Sequence, residues 1–132
     1  MNYTFQIKPC HNLVLDKFVG KTSQREFFEA IQKSSFDPEF RVGMDVLADM
    51  TQIELEFGHE GARALVSQIS KTPKMEYGKI ALVISTTLQF GITRMFGLIA
   101  EEKGVFSEYQ VFRDFSEARN WLGLPEDLEL EI

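Results

Sequence analysis

The sequence predicts a single α/β domain whose five-stranded sheet is mostly parallel, with an antiparallel N-terminal edge strand and helices on both faces. The segment Lys79–Ser85 contains five consecutive apolar residues, which is typical of a strand covered on both faces. Strand patterns then alternate along the chain with helical patterns of about 10–15 residues, which implies right-handed crossovers between parallel strands. We expect residues 1–123 to form the domain and residues 124–132 to form an acidic tail.

The first two strands are predicted from the N-terminal residues. Tyr3–Lys8 alternates apolar and polar residues, which indicates a half-exposed strand at a sheet edge. A turn at Pro9–Asn12 leads into a second strand, Leu13–Val19. Because the connection is short, the two strands should be antiparallel.

A helix follows, with a start signal in the sequence. Ser23 and Glu26 have the spacing of a capping box, in which each side chain bonds the other residue's backbone N–H. The helix should end near Ser34 and Ser35. Its buried stripe consists of Phe27, Phe28, Ala30 and Ile31.

The middle of the chain should add a third strand and a second helix. Asp45–Asp49 is the predicted strand, so Asp49 leaves its carboxyl end, and Ile53–Phe57 is a further extended segment. Gly58 opens a helix whose apolar residues recur with helical spacing, and Pro73 closes it.

The third helix has an unusual apolar surface. Thr86 or Thr87 should cap it, and it should run from Leu88 to about Lys103. Its apolar residues cover an arc of roughly 200° on a helical wheel, about twice the usual width. One side of this arc must pack on the sheet, which leaves the other side for a second contact.

The last elements are a strand and a short helix. Glu108–Arg113 should form the other edge strand, and Ser116 should cap a helix that Gly123 ends.

Composition excludes several classes of function. The chain has 14 Lys and Arg against 20 Asp and Glu, a net charge of −6, so nucleic acid is not an expected partner. Cys10 is the only cysteine, which fits a reducing, cytoplasmic location. The sequence shows neither a signal peptide nor a transmembrane segment.

Candidate ligand-binding residues follow the predicted strands, since ligands of parallel sheets bind at the carboxyl ends of strands. These candidates for a ligand or a phosphate group are Lys21, Thr22, Asp49, Thr51, His59, Ser85 and Thr86, together with Thr87 and Arg113. Hydroxyl groups and helix N-termini can bind an anion. The same hydroxyls can equally serve as helix caps, and the sequence leaves both readings open.

Catalytic and metal sites have weak support. His59 could accept a phosphoryl group or act as a general base, but it could equally be a surface residue beside Glu60. Cys10, His11 and His59 are too few and too scattered for a zinc site. We therefore expect no metal, no cofactor and no catalytic residue, with a phosphoacceptor or enzyme centred on His59 or Thr51 as a distant alternative.

The wide apolar arc of the third helix is the main functional clue. Three interpretations are open: a protein interface, including that of a homodimer, a pocket for a lipid or small apolar ligand, or ordinary burial. The interface candidates are Phe90, Ile92, Met95, Phe96, Leu98 and Ile99. The pocket alternative requires a buried cavity of about 300 Å³ or more beside this helix.

A set of short motifs also resembles a known family. The motifs are Gly20-x-Thr22-x-x-x-Glu26-Phe27, Phe36-Asp37-Pro38-x-Phe40, Val46-Leu47-x-Asp49, Lys79-x-Ala81-x-Val83, Arg94-Met95-Phe96, Val111-Phe112-Arg113 and Glu117-Ala118-x-x-Trp121-Leu122. In this order they resemble the STAS-type fold of anti-sigma-factor antagonists, and more closely the SpoIIAA-like group with its CRAL-TRIO-like relatives.

The resemblance implies a non-enzymatic regulatory or protein-interaction module. In the anti-sigma-factor antagonists, a serine at a helix N-terminus is phosphorylated by a partner kinase. Here His59 and Glu60 stand where the serines would be, so the phosphoserine switch is not carried over. The lipid pocket of the CRAL-TRIO relatives supports the ligand alternative.

Overall fold

The structure is a computed structural model that describes residues 1–130, apart from the side chains of Leu88, Ile92 and Met95. Strands and helices follow one another along the chain. They are β1 (Asn2–Lys8), β2 (Leu13–Thr22), α1 (Gln24–Ser35), β3 (Asp45–Leu55), α2 (His59–Ser70), β4 (Tyr77–Val83), α3 (Thr87–Glu102), β5 (Phe106–Phe112) and α4 (Phe115–Leu122).

The strands lie in the sheet in the order in which they occur in the sequence, β1-β2-β3-β4-β5. β1 is antiparallel to β2, and all other pairs are parallel, which confirms the predicted fold class. Each crossover therefore moves one strand further in the same direction. Because such crossovers share one hand, α1, α2 and α3 all lie on one side of the sheet, which we call the near face.

The near face holds the larger part of the core. Phe18 of β2 stacks on Phe27 of α1 with ring centroids 4.8 Å apart, and apolar side chains of α2, including Leu65 and Val66, pack beside them. The far face is covered by α4 and the residues that follow it. Its buried cluster consists of Leu13, Leu15, Leu47, Ala81, Val83, Phe112, Ala118 and Leu122, with Leu124, Leu128 and Leu130 packed against it.

The predicted end of the third strand was wrong. β3 continues through residue 55, so Asp49 and Thr51 lie within the strand and not beyond it. The reason is its neighbour: β2 also continues, past a register shift between Lys17 and Val19, and pairs with the additional residues of β3. The alternating segment that begins at Ile53 is therefore part of the same strand.

Helix caps agree with the sequence at two places and differ at one. Ser23 and Glu26 form the predicted capping box, and Thr86 forms one with Gln89 at the start of α3. The cap of α4 is Asp114, not Ser116, because the Asp114 carboxylate accepts the backbone N–H groups of Ser116 and Glu117 at 2.6 and 3.3 Å. An aspartate caps a helix as well as a serine does. With Asp114 as the cap, α4 begins at Phe115, two residues earlier than a cap at Ser116 would give.

Candidate functional site

A buried carboxylic acid lies on the near face of β2. Side chains alternate between the faces of a strand, so Asp16 points to the same side as the core residues Val14 and Phe18. The Asp16 side chain is only 5% exposed. Its hydrogen-bond donor is the hydroxyl of Tyr3, from the neighbouring strand β1, which donates to Oδ1 of Asp16.

Burial changes the acidity of these groups. Desolvation raises the pKa of Asp16 to about 7, although the hydrogen bond from Tyr3 opposes the rise. Burial and the nearby Asp16 carboxylate raise the pKa of Tyr3 well above its usual range. At neutral pH, Asp16 is therefore divided between its neutral and its ionised form, while Tyr3 keeps its proton.

Further hydroxyl groups surround Asp16, and the main chain or another side chain bonds each of them. The Ser34 hydroxyl donates to the carbonyl of Ile31 at 3.1 Å. The Ser35 hydroxyl also donates to Ile31, at 2.7 Å, and lies 2.7 Å from the Tyr77 hydroxyl. Burial raises the pKa of Tyr77 above its usual range. The end of α1 thus places polar groups beside β2 and β4.

Asp16 opens onto a cavity between the sheet and the three helices, which we call the Asp16 cavity. Its volume is about 70 Å³, and its wall is apolar except for Asp16, Ser34, Tyr77 and Thr93. It is a quarter of the size that the ligand-pocket alternative required. It has room for about two water molecules at about 30 Å³ each, or for a very small ligand.

The strand-end candidates are largely engaged in local hydrogen bonds. Thr51 donates its hydroxyl to Asp49 at 2.7 Å, and Ser85 donates its hydroxyl to the Thr51 carbonyl at 2.8 Å. Thr22 is buried and donates to the Gly20 carbonyl at 3.0 Å. Thr86 accepts the backbone N–H of Gln89 at 3.1 Å. The structure therefore brings Asp49, Thr51 and Ser85 together.

The other candidates lie apart from this group. Lys21 is exposed at the end of β2, and His59 is exposed in the first turn of α2. Arg113 lies beside α3, with its guanidinium 5.7 Å from the centre of the Phe90 ring. A role for any strand-end residue in binding a ligand or a phosphate group stays a prediction.

Residues 1–130 contain neither a metal-binding cluster nor a membrane-spanning helix. No group of three or more His, Cys, Asp or Glu side chains in this part of the chain could hold a metal ion. Cys10 is exposed, and its thiol is free and not part of a disulfide. No described helix is long and apolar enough to cross a membrane.

The wide apolar arc of α3 has two packing partners. Phe96 packs between the rings of Phe27 and Tyr109, at 6.4 and 6.3 Å, and Ile99 is half-buried against the near-face core. Ile92 and Met95 lie outside the residues whose side chains are described. Phe90 is half-buried, whereas Leu98 points outward and is 60% exposed.

An open groove of about 350 Å³ runs between α3 and the edge strand β5, and we call it the α3–β5 groove. Its lining residues are Phe90, Arg94, Gly97, Leu98, Glu101, Tyr109, Gln110 and Val111. α3 and β5 are closely packed at the bottom of this groove, because the Gly97 backbone lies directly on the Tyr109 ring. The Tyr109 hydroxyl donates to the Thr93 carbonyl, which fixes α3 on β5.

A second open pocket lies on the far face. It has a volume of about 490 Å³ and is lined by residues of the sheet, α4 and the tail, among them Lys17, Asp49, Arg119 and Glu129. Arg119 holds the tail in place, since its Nη1 donates to the carbonyls of Pro125, Glu126 and Leu128 at 2.7 to 2.9 Å.

Sequence reasoning missed the buried acid, although a signal for it was present. In the predicted second strand, Asp16 lies two residues from both Val14 and Phe18, so it shares their face. A charged residue on an apolar face must be paired, neutral or functional. The partner Tyr3 could not be identified in this way, because it depends on the register between β1 and β2.

Comparison with known proteins places this geometry in a fold group. A crystal structure at 2.25 Å of an uncharacterized protein of the DUF3478 family from Shewanella loihica PV-4, described as having a SpoIIAA-like fold, matches with a TM-score of 0.61. It shares 20% sequence identity, and the match covers 91% of this chain and 93% of that chain. The fold is therefore SpoIIAA-like, as the motif resemblance implied. No protein-family model and no curated protein sequence matches the chain.

Proposed function

We propose that the protein is a non-enzymatic, cytoplasmic interaction module of STAS-like fold that self-associates through the α3–β5 groove. The observation that supports this proposal best is a stripe on the outer surface of α3. Arg94, Leu98 and Glu101 are all exposed and have the i, i+4, i+7 spacing of one helix face. Leu98 is the most exposed large apolar side chain in the described part of the chain.

The stripe is complementary to itself. In a two-fold pairing of antiparallel α3 helices centred near Leu98, Arg94 of each copy lies beside Glu101 of the other. The two charges are about 10 Å apart along one helix, so both ion pairs form around a central contact between the two Leu98 side chains. Among the described residues, neither Arg94 nor Glu101 forms an ion pair within its own chain. An apolar centre with a charged rim is typical of protein interfaces, and a two-fold interface requires this kind of self-complementarity.

The sheet edge beside α3 also favours a second copy of this chain as the molecule that covers the α3–β5 groove. β5 is an edge strand, and such strands leave backbone N–H and C=O groups unpaired along one side. A second copy seated on α3 would cover the groove beside this edge. The flanking ion pairs would set the orientation of the two copies more than their affinity.

Sedimentation velocity over a wide concentration range tests this proposal. We expect the wild-type chain to form a dimer and Leu98→Asp to sediment as a folded monomer. Val42→Asp is the matched control, since Val42 is a 55% exposed apolar residue away from α3, and it should leave the dimer intact. Phe96 is unsuitable as a probe, because its ring packs in the core.

Charge reversal tests the geometry of the pairing. Arg94→Glu and Glu101→Arg should each weaken the dimer, because each creates two like-charge contacts, and the double variant should restore it. A wild-type chain that stays monomeric at the highest concentration would refute self-association. A double variant as weak as the single variants would refute the antiparallel arrangement.

A further inference from the structure

We infer that the Asp16 cavity is a binding site for a small protonated amine that carries a short apolar group. The inference is independent of the proposed self-association, since the cavity lies on the inner side of α3. It rests on the position of Asp16, on the hydrogen-bonding character of the cavity wall and on the absence of a buried cation in the described residues.

Asp16 has an unused oxygen. Its Oδ1 accepts from Tyr3, whereas Oδ2 makes no hydrogen bond with any described residue. No completely buried side-chain oxygen or nitrogen in the described residues lacks a partner, so Oδ2 must have open space beside it. Asp16 lines the cavity, and the near-face orientation of its side chain places that space there.

Apart from Asp16 itself, the described polar groups of the cavity wall have no hydroxyl hydrogen left to donate to a ligand. The hydroxyl hydrogens of Ser34 and Thr93 are donated to the carbonyls of Ile31 and Gln89. The Tyr77 hydroxyl is paired with Ser35. A ligand group that bonds the ionised Asp16 carboxylate must be a donor, as an ammonium group is.

A cation also fits the charge of the site. Buried carboxylates are normally paired with a cation or neutralised, but no Lys, Arg or His among the described residues lines the cavity. The titratable groups that face Asp16 in the described chain are Tyr3 from β1 and Tyr77 from β4. α1 contributes the hydroxyls of Ser34 and Ser35, and α2 and α3 contribute apolar side chains and Thr93. A bound ammonium group would supply the missing counter-charge.

The cavity limits the size of the ligand. At about 70 Å³, it is about half the volume of a cavity that holds benzene. An amine of about three to five non-hydrogen atoms, such as propylammonium, matches this space.

Calorimetric titration of the full chain with propylammonium chloride at pH 8 tests the inference, with 1-propanol as the neutral probe of the same shape. We expect saturable binding of the amine below about 10 mM and much weaker binding of the alcohol. Between pH 8 and pH 5.5 the affinity should fall about 30-fold, because protonation removes the carboxylate that pairs with the cation.

Three variants locate the site. Asp16→Asn should abolish amine binding, and Ala48→Leu should do so by filling the cavity, which Ala48 lines. Asp49→Asn, on the neighbouring strand, should bind as the wild type does. Circular dichroism confirms that each variant is folded, and the pH profile and the alcohol comparison need no variant.

Four results would overturn the inference. The first is that the amine shows no saturable binding, which means that the cavity holds water only. The second is that the amine and the alcohol bind equally well. The third is that Ala48→Leu still binds the amine, and the fourth is that the affinity does not change between pH 5.5 and pH 8.

Discussion

At the scale of single residues, Asp16 couples the stability of the fold to pH. Burial raises its pKa to about 7 in the folded chain, whereas an unfolded chain restores the ordinary value of about 4. Between these two values, the folded state holds a proton that the unfolded state has released. The contribution of Asp16 to stability is therefore fully present below about pH 4, declines as the pH rises through 7 and is constant above that.

Replacing Asp16 with Asn should remove this dependence. Asn can still accept the hydrogen bond from Tyr3 and cannot ionise. The melting temperature of Asp16→Asn should exceed that of the wild type at pH 8, and the difference should shrink towards pH 4. The upper limit of the free-energy change is about 1.4 kcal/mol per pH unit between the two pKa values.

Thermal unfolding from pH 4 to pH 9 measures this difference. Tyr3→Phe is a useful second variant. The hydrogen bond from Tyr3 lowers the pKa of Asp16, so its loss should extend the pH-dependent range upward. A difference between Asp16→Asn and wild type that is the same at every pH would contradict this account.

At the scale of single elements, α3 is held by contacts on two sides, and its glycines show where each side lies. Gly97 lies so close to the Tyr109 ring that a Cβ atom there would overlap it, whereas a Cβ atom at Gly91 would meet nothing within 4 Å. The same substitution in the same helix should therefore have opposite effects.

Gly91→Ala should stabilise the chain by about 0.5–1 kcal/mol, because alanine favours the helix. Gly97→Ala gains the same preference, but the methyl group forces α3 away from β5, so a net loss of about 1–3 kcal/mol is expected. Urea unfolding of both variants measures these values. Stabilisation by Gly97→Ala would mean that α3 is not seated on Tyr109.

The features that the sequence predicted correctly depend on interactions between residues close in sequence or on general rules of chain connection. The features that it missed depend on contacts between distant elements. The capping box of Ser23 and Glu26 depends on near neighbours, and the directions of the strands depend on crossover rules; both were predicted correctly. The end of β3 depends on pairing with β2, and the exposed part of α3 depends on contacts with α2 and β5. Neither could be predicted from the residues of that strand or helix alone. In the candidate site, the face of Asp16 could be predicted, whereas its contact with Tyr3 and the volume of the cavity could not.

At the scale of the whole molecule, the two faces of the sheet are covered unequally. Three helices lie on the near face, while in the described part of the chain the far face is covered by α4 and residues 123–130. Leu128 packs against the far-face cluster, and the carbonyls bonded by Arg119 hold this segment in place. The described part of this segment therefore packs on the far-face cluster.

Leu128→Ala should lower the free energy of unfolding by about 1–2 kcal/mol, since Leu128 is half-buried. Asp127→Ala is the matched control. Asp127 is exposed, and its change should stay within about 0.5 kcal/mol. Chemical denaturation measures both. Equal effects of the two substitutions would show that the segment does not pack on the far face in solution.

The sequential strand order has a consequence for synthesis on the ribosome. Every strand after the first pairs with one that has already emerged, so the sheet can grow by addition at one edge and no strand needs to be inserted. The cover of the far face, by contrast, is made only after the sheet is complete, because α4 follows β5 in the chain. Until residues 115–130 emerge, the apolar side chains that the strands contribute to the far-face cluster face water, so the nascent chain is most exposed to aggregation after β5 has emerged and before α4 packs on the sheet.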